Sequence, residues 1–511
     1  MRKPSPLLFT LFGVLLLADT ATLYNEPFRP QYHFSPPKNW MNDPNGLVYY
    51  KGEYHLFYQY NPFGDIWGHM SWGHAVSRDL LHWEHLPVAL QEENGVMIFS
   101  GSAVVDWQNS SGLCRNPDPR DKSCLVAIYT GRTETSQTQH IAFSDDRGRT
   151  WTKYSGNPVI DLNMRDFRDP KVIWHEESRK WVMVTVLARE KTVRIFGSSN
   201  LREWRTVSDF GPEGAIAGVW ECPDLFPLPV QGIPGAKRWV LVVSINPGGP
   251  AGGSGGQYFV GHFDGTKFVN ENPPERVLWI DYGKDFYAVQ SFSDVPTADG
   301  RRIWIGWLTN WQYARQEPTM PWRTAQSIPR RVQLKKLPAG IRLVQEPVAE
   351  LRRVREGEFR LNDRTIAETN RLLESRRGAA WEMIVDLALN SSSQAGLKIR
   401  KGPSEETTIV ARQNPPELFV DRTRSGNTTF HGKFTGTHTG PLRASKTVRL
   451  HVFVDWSSLE VFANDGETVL SERIFPSPQS DRIELFAEKG DASVKSLRMW
   501  KLKSVWKGQA R

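Results

Sequence analysis

Short apolar runs recur along the first two thirds of the chain, each opened by a charged or turn residue. They are EYHLFYQY at Tyr54, CLVAIYTG at Leu125, KWVMVTVL at Trp181, RWVLVVSI at Trp239 and RIWIGWLT at Trp304, spaced 56 to 71 residues apart. Each run is too short, and too rich in β-branched or aromatic residues, for a helix. A second element follows the early runs: AVSRDLLHW ending at Trp83, AFSDDRGRTW at Trp151, FGSSNLREW at Trp204, and a weaker VGHFDGTKF at Phe268. Its polar residues make a tight turn and its aromatic opens the next strand. A four-stranded unit repeated five times predicts a five-bladed β-propeller. The alternative, a large sandwich with coincidental turns, does not account for the double repeat.

After Arg330 the texture changes. Pro338 and Gly340 interrupt the chain, and Glu346 to Glu358 is charged and free of aromatics until its end. From Ala380 alternation resumes in WEMIVDLAL, GLKIRKG, TTIVARQ, ELFVDRT, VRLHVFVDWSSLEVFAN, RIELFAE and VKSLRMWKL, which reads as an antiparallel β-sandwich. No helical period of useful length is evident in either part. At the amino terminus, Arg2 and Lys3 precede the 12-residue apolar stretch Leu7–Ala18, followed by small residues. This is the pattern of a secretory signal peptide, and too short for a membrane span. We therefore expect an all-β protein: a signal peptide at 1–21, a propeller at 26–340, a linker at 341–358 and a sandwich at 359–507. It is expected to be secreted, extracellular or periplasmic, with no membrane anchor.

Composition narrows the picture. The 511 residues carry 39% hydrophobic and 23% charged positions, which excludes a disordered chain. The net charge of +8 is scattered, so nucleic acid is not an expected partner. Twenty tryptophans exceed what core filling demands, and some are expected to offer flat platforms to a ligand with a C–H face. Export permits disulfides. Cys114 and Cys124 flank the polar insert CRNPDPRDKSC and either bridge or stay free, leaving Cys222 over.

The strand before each apolar run should be the innermost of its blade, lining the central channel. Three such strands open with a carboxylate: Asp43 in WMNDPNG, Asp169 in FRDP and Glu221 in WECPDL. Three acids in one funnel repel one another, so at least one pKa must rise, giving a proton donor beside an anion. We expect Glu221 to carry that rise and Asp43 to stay near an ordinary aspartate. Two carboxylates of split pKa are what glycoside hydrolysis needs. Metal binding is the rival use, but neither closely spaced Asp/Asn ligands nor His pairs occur at convincing spacing, so no metal or cofactor is expected. His69 and His74 read as structural.

WMNDPNG, FRDP and WECPDL, in this order and spacing, resemble glycoside hydrolase family 32, which includes invertases, levanases and inulinases. The similarity extends through YHLFYQYNP, WGHAVSRDL, FSGSAVV, DYGKDFYA, NWQYA, PWRTAQSIPR and FVDWSSLEVFANDG, and so covers nearly the whole mature chain. It implies the same propeller followed by a sandwich. It also implies that Asp43 is the nucleophile, Glu221 the general acid/base, and Asp169 the transition-state stabiliser, with Arg168 beside it. Asn42, Gln59, Trp67, Phe99 and Ser100 match positions that shape a fructose pocket. The expected activity is that of a retaining β-fructofuranosidase acting on levan, inulin and sucrose, as a monomer or weak oligomer. A fructosyltransferase and a non-catalytic fructan-binding protein are the alternatives on the same scaffold. Two departures from the family pattern, Ser71 where many relatives carry His and the Cys114–Cys124 insert, are expected near the pocket rim.

Overall fold

The computed structural model describes residues 23–115, 118 and 120–506. The expected signal segment, 1–21, lies outside the described residues. Five four-stranded antiparallel units follow in chain order, the fourth and fifth joined into one sheet where Val230 and Gln231 pair in parallel with Leu334 and Lys335. Their inner strands are Asn39–Tyr50, Met97–Asp106, Phe167–His175, Val219–Gln231 and Tyr287–Ser291, which pack side by side around a channel. The five apolar runs are the second strands: Glu53–Tyr60, Cys124–Arg132, Lys180–Leu187, Lys237–Asn246 and Arg302–Trp307. These strands are apolar almost continuously because each blade is covered on both faces by its neighbours. Val184 and Val243, for example, share the layer between the third and fourth blades, and Val126 and Phe167 that between the second and third.

The turn between third and fourth strands is built the same way three times. Ser77, Ser144 and Ser198 bond the side chains of Asp79, Asp146 and Asn200. The indoles of Trp83, Trp151 and Trp204 then donate to the carbonyls three residues back, Leu80, Gly148 and Leu201. The ring is closed by Trp322–Arg323, paired in parallel with Asn39 and Trp40, and by a bridge between Val48 and Ser293.

Three local expectations need comment. The segment 341–358 is not open chain. Its first part, Gly340–Pro347, is the outer strand of the fifth blade, paired with Arg330–Leu337, and Ala349–Val354 forms a 3-10 turn. Among the described residues there is one α-helix, Ile366–Leu373, eight residues long and too short to show a helical period in the sequence. Thr365 and Glu368 cap it reciprocally, satisfying its first amide groups. Cys114 and Cys124 form a disulfide that closes their loop.

The sandwich has a six-stranded sheet and a five-stranded sheet around an apolar core of Trp381, Leu397, Ile409, Leu450 and Leu485. It docks against the propeller through a buried ionic seam. Arg330 reaches Asp281 at 3.0 Å and Glu460 at 2.5 Å, and Arg422 reaches Asp285 at 2.5 Å. Gly283 permits this approach: a Cβ there would meet the backbone of Ser471 at 2.3 Å. Beside it, the amide groups of Tyr282 and Asp285 donate to Val469 and Ser471. Among the described residues no helix is long and apolar enough to cross a membrane.

Candidate active site

All five inner strands break register near the end where the funnel opens. Asn42 and Asp43 oppose one residue of the next strand, and the same two-against-one bulge occurs at Phe99–Ser100, Asp169–Pro170, Cys222–Pro223 and Ala288–Val289. A bulge twists its strand and re-aims side chains, so five in a ring turn five short segments into one funnel. Pro170 and Pro223 suit these positions because they present no N–H to leave unpaired. Asp169, Cys222 and Ala288 take left-handed backbone angles of 64°, 47° and 50°. That costs of order 1–3 kcal/mol for each non-glycine residue, and such strain concentrates at functional sites.

The funnel is a cavity of about 390 Å³ lined by Asn42, Asp43, Gln59, Trp67, Phe99, Ser100, Arg168, Asp169 and Glu221. Every site residue expected from the sequence is therefore on its wall. Ser100 donates its hydroxyl to Asp43 Oδ2 at 2.7 Å, and the Cys222 thiol lies 3.5 Å from the same oxygen. Asp43 Oδ1 is buried and has no hydrogen-bond partner. Asp169 is fixed differently. Its own amide donates to Thr130 Oγ1, and its Oδ2 accepts the Cys222 amide at 2.9 Å.

Glu221 sits higher, with 22% of its side chain exposed. Arg168 donates to its Oε1 at 3.2 Å, and the Tyr287 hydroxyl bonds Oε2. Arg168 also bonds Asp166, at 3.2 Å, and Asp166 in turn holds Arg189 at 2.5 Å. Asn42 accepts the Trp40 indole N–H, and Gln59 donates to the Ile98 carbonyl, so both are fixed by their neighbours. Trp67 and Phe99 meet edge to face at a centroid distance of 6.0 Å.

Burial pushes the Asp43 carboxyl up to about 6, and the Glu221 charge adds to it, against hydrogen bonds from Ser100, Asn42 and Cys222. Asp169 is pushed up too, by burial first, with Arg168 opposing and Glu221 and Asp43 adding. The expectation that Asp43 stays near an ordinary aspartate is thus corrected. It is buried in the funnel wall, 9% exposed, while the guanidinium is taken by Glu221, Asp166 and Asp169. Among the described residues no cluster of His, Cys, Asp and Glu has the arrangement of a metal site.

Residues 33–347 match the Glycosyl hydrolases family 32 N-terminal domain, and residues 350–501 match the Glycosyl hydrolases family 32 C terminal domain. The chain belongs to glycoside hydrolase family 32. It is 51% identical to a levanase of Bacillus subtilis (strain 168), over 98% of this chain and 74% of the relative. An extracellular exo-inulinase of Aspergillus ficuum is 42% identical, over 94% of this chain and 96% of its own. The crystal structure of exo-inulinase from Aspergillus awamori superposes with a TM-score of 0.86 at 38% identity, covering 94% of this chain and all of that one. As a family 32 chain it is a glycoside hydrolase with the family's propeller and sandwich.

Sequence reasoning named no role for Tyr287 or Trp311, which lie in the family-like segments DYGKDFYA and NWQYA. Tyr287 touches Glu221, and Trp311 lines the funnel, stacked on Trp40 at 5.8 Å. Arg132, Arg165, Arg189 and Arg315 also line it without a motif to mark them. Neither Ser71 nor any described residue of the disulfide loop is on its wall. Ser71 is buried, donating to the His69 carbonyl and accepting the Glu92 amide.

Proposed function

We propose that this chain is a retaining β-fructosidase, releasing terminal fructosyl residues from levan, inulin and sucrose through a covalent fructosyl-enzyme. The observation that carries this reading is the convergence of Asp43, Asp169 and Glu221 on the wall of one funnel. Asp43 is buried and its Oδ2 is held by Ser100, so the carboxylate is fixed and desolvated, as a nucleophile needs to be.

In the first step a carboxylate oxygen of Asp43 bonds to the anomeric carbon while the bond to the leaving oxygen breaks. Glu221, on the opposite, more open side, gives that oxygen its proton. In the second step Glu221 takes a proton from water, the water oxygen bonds to the anomeric carbon, and Asp43 leaves as a carboxylate. Asp169 accepts hydrogen bonds from fructose hydroxyls and stabilises the cationic transition state electrostatically, with Arg168 fixing the surrounding charge. Asn42, Gln59, Trp67, Phe99 and Ser100 shape the pocket, and Trp67 offers its ring to the sugar's apolar face.

The relatives support hydrolysis of fructan and sucrose, and favour neither a fructosyltransferase nor a non-catalytic binding protein. They include extracellular exo-inulinases, which supports export of this chain, led by residues 1–21. The experiment is to follow the anomer of the first fructose released, by NMR at early times. β-Fructofuranose agrees with two displacements, and α-fructofuranose overturns the mechanism.

A further inference from the structure

We infer that the propeller face opposite the catalytic funnel carries a second, non-catalytic saccharide site, built on Trp107 and Trp174 and fitted to a fructan chain. The inference rests on the fructan-hydrolase reading for the identity of its ligand. Of the twenty tryptophans, all of them within the described residues, only these two are exposed, at 49% and 39%. Both line one cavity of about 630 Å³. They stand at the far ends of inner strands whose near ends carry Ser100 and Asp169. At about 3.3 Å per residue, that separates them from the funnel by roughly 15–25 Å along the strands.

The rings are held in place. The Trp107 indole N–H donates to Asp294 at 2.9 Å, and Tyr50 meets the ring edge to face at 5.9 Å. Trp174 packs edge to face on Trp181 at 5.2 Å, and the Trp181 indole N–H is tied to Ser110. A large aromatic left half in water, yet fixed by a partner, offers apolar area with little ordering left to lose on binding.

The ligand should be neutral: apart from Glu176, which is exposed to solvent, the charges around the cavity are already occupied. Asp106 accepts the amides of Ser110 and Ser111, and Asp294 accepts the amide of Val105 as well as the Trp107 indole. Arg302 donates to the Phe292 carbonyl and faces Asp224 and Asp294. The Ser293 hydroxyl, on the cavity wall and 8% exposed, has no partner. Two apolar faces on neighbouring blades that line one cavity suit a sugar chain. A disaccharide in the funnel cannot reach them, so only a polymer can use both.

The test pairs Trp107→Ala/Trp174→Ala with the parent, each in active form and with Asp43→Ala, to separate binding from turnover. In native gels containing levan or inulin, the double variant in the inactive background should bind roughly tenfold more weakly. In the active form its KM on high-mass levan should rise severalfold, while kcat/KM on sucrose stays within twofold of the parent. Trp107→Phe/Trp174→Phe should keep most of the retardation. Equal retardation of parent and double variant overturns the site, as does equal retardation by dextran. If the Ala variant loses sucrose turnover, Trp174→Ala alone and the Phe variant carry the comparison, and unchanged retardation in Trp174→Ala overturns the site. A parent that hydrolyses neither fructan nor sucrose would instead overturn the functional reading.

Discussion

Ser100 donates its hydroxyl to one oxygen of Asp43 at 2.7 Å and leaves the other buried without a partner. The two residues come from bulges on the inner strands of neighbouring blades, so the contact reports on the register of both. It stabilises the carboxylate over the acid.

Ser100→Ala should therefore lower kcat/KM by about ten- to a hundredfold, the worth of one hydrogen bond to a charged group. It should also move the acid limb of the pH profile upward, because a hydrogen bond that lowers the Asp43 pKa is lost. An unshifted limb would reduce Ser100 to packing.

The limb itself has a predicted place. Asp43 attacks only as an anion, and its carboxyl is raised to about 6. The rate constant kcat/KM on sucrose should rise with pH through about 6 and fall off at least tenfold per pH unit well below it, since the buried Asp169 must be ionised as well. A profile flat down to pH 4 would contradict the raised value.

The same shift bears on stability. The folded carboxyl holds its proton more tightly than the unfolded one, so its contribution is fully present below the ordinary value of 3.8 and is lost as pH rises through about 6. At pH 7.5 the buried charge costs on the order of 3 kcal/mol. Asp43→Asn should melt a few degrees above the parent at pH 7.5, with the gap closing at pH 4.5. Equal melting at both would show that the carboxylate is not desolvated.

Asp169→Asn keeps the shape of the side chain, and Asn can still accept the Cys222 amide, but the negative charge is gone. The expected loss in kcat on sucrose is about 10²–10³-fold with no loss of Tm, since Asp169 too is a carboxyl raised by burial. A kcat within threefold of the parent would remove Asp169 from the transition state.

Much of the fold was legible because blade strands obey simple rules. A second strand buried on both faces must be nearly all apolar, and a tight turn that ends in a Trp must show Ser and an acid or amide first. The three carboxylates were legible because each opens an inner strand. Their depth was not. How deeply each acid is buried depends on bulges, and a bulge is a relation between two strands that neither sequence segment carries alone. Tyr287 and Arg189 act through contacts with residues far away in the chain, so nothing local marks them. The helix at Ile366–Leu373 was too short to show a period, although Thr365 and Glu368 spell its cap.

The docking of the two domains gives a prediction independent of catalysis. At Gly283 a Cβ would press on the Ser471 backbone, which cannot yield as a flexible side chain would. Gly283→Ala should destabilise the seam by about 1–3 kcal/mol, seen as a lower Tm. An unchanged Tm would mean that the two domains do not meet there.

The roles of Asp43 and Glu221 are tested most directly by the product each alanine variant makes from an activated aryl β-fructoside in the presence of azide. Without Glu221, an aryl leaving group departs without its proton, the fructosyl-enzyme still forms on Asp43, and azide needs no general base. Glu221→Ala should therefore be nearly inactive on sucrose yet yield β-fructosyl azide, the retained configuration. Asp43→Ala cannot form that intermediate and should yield no β-azide. Formation of β-fructosyl azide by Asp43→Ala, with none from Glu221→Ala, would contradict the assignment and exchange the two roles.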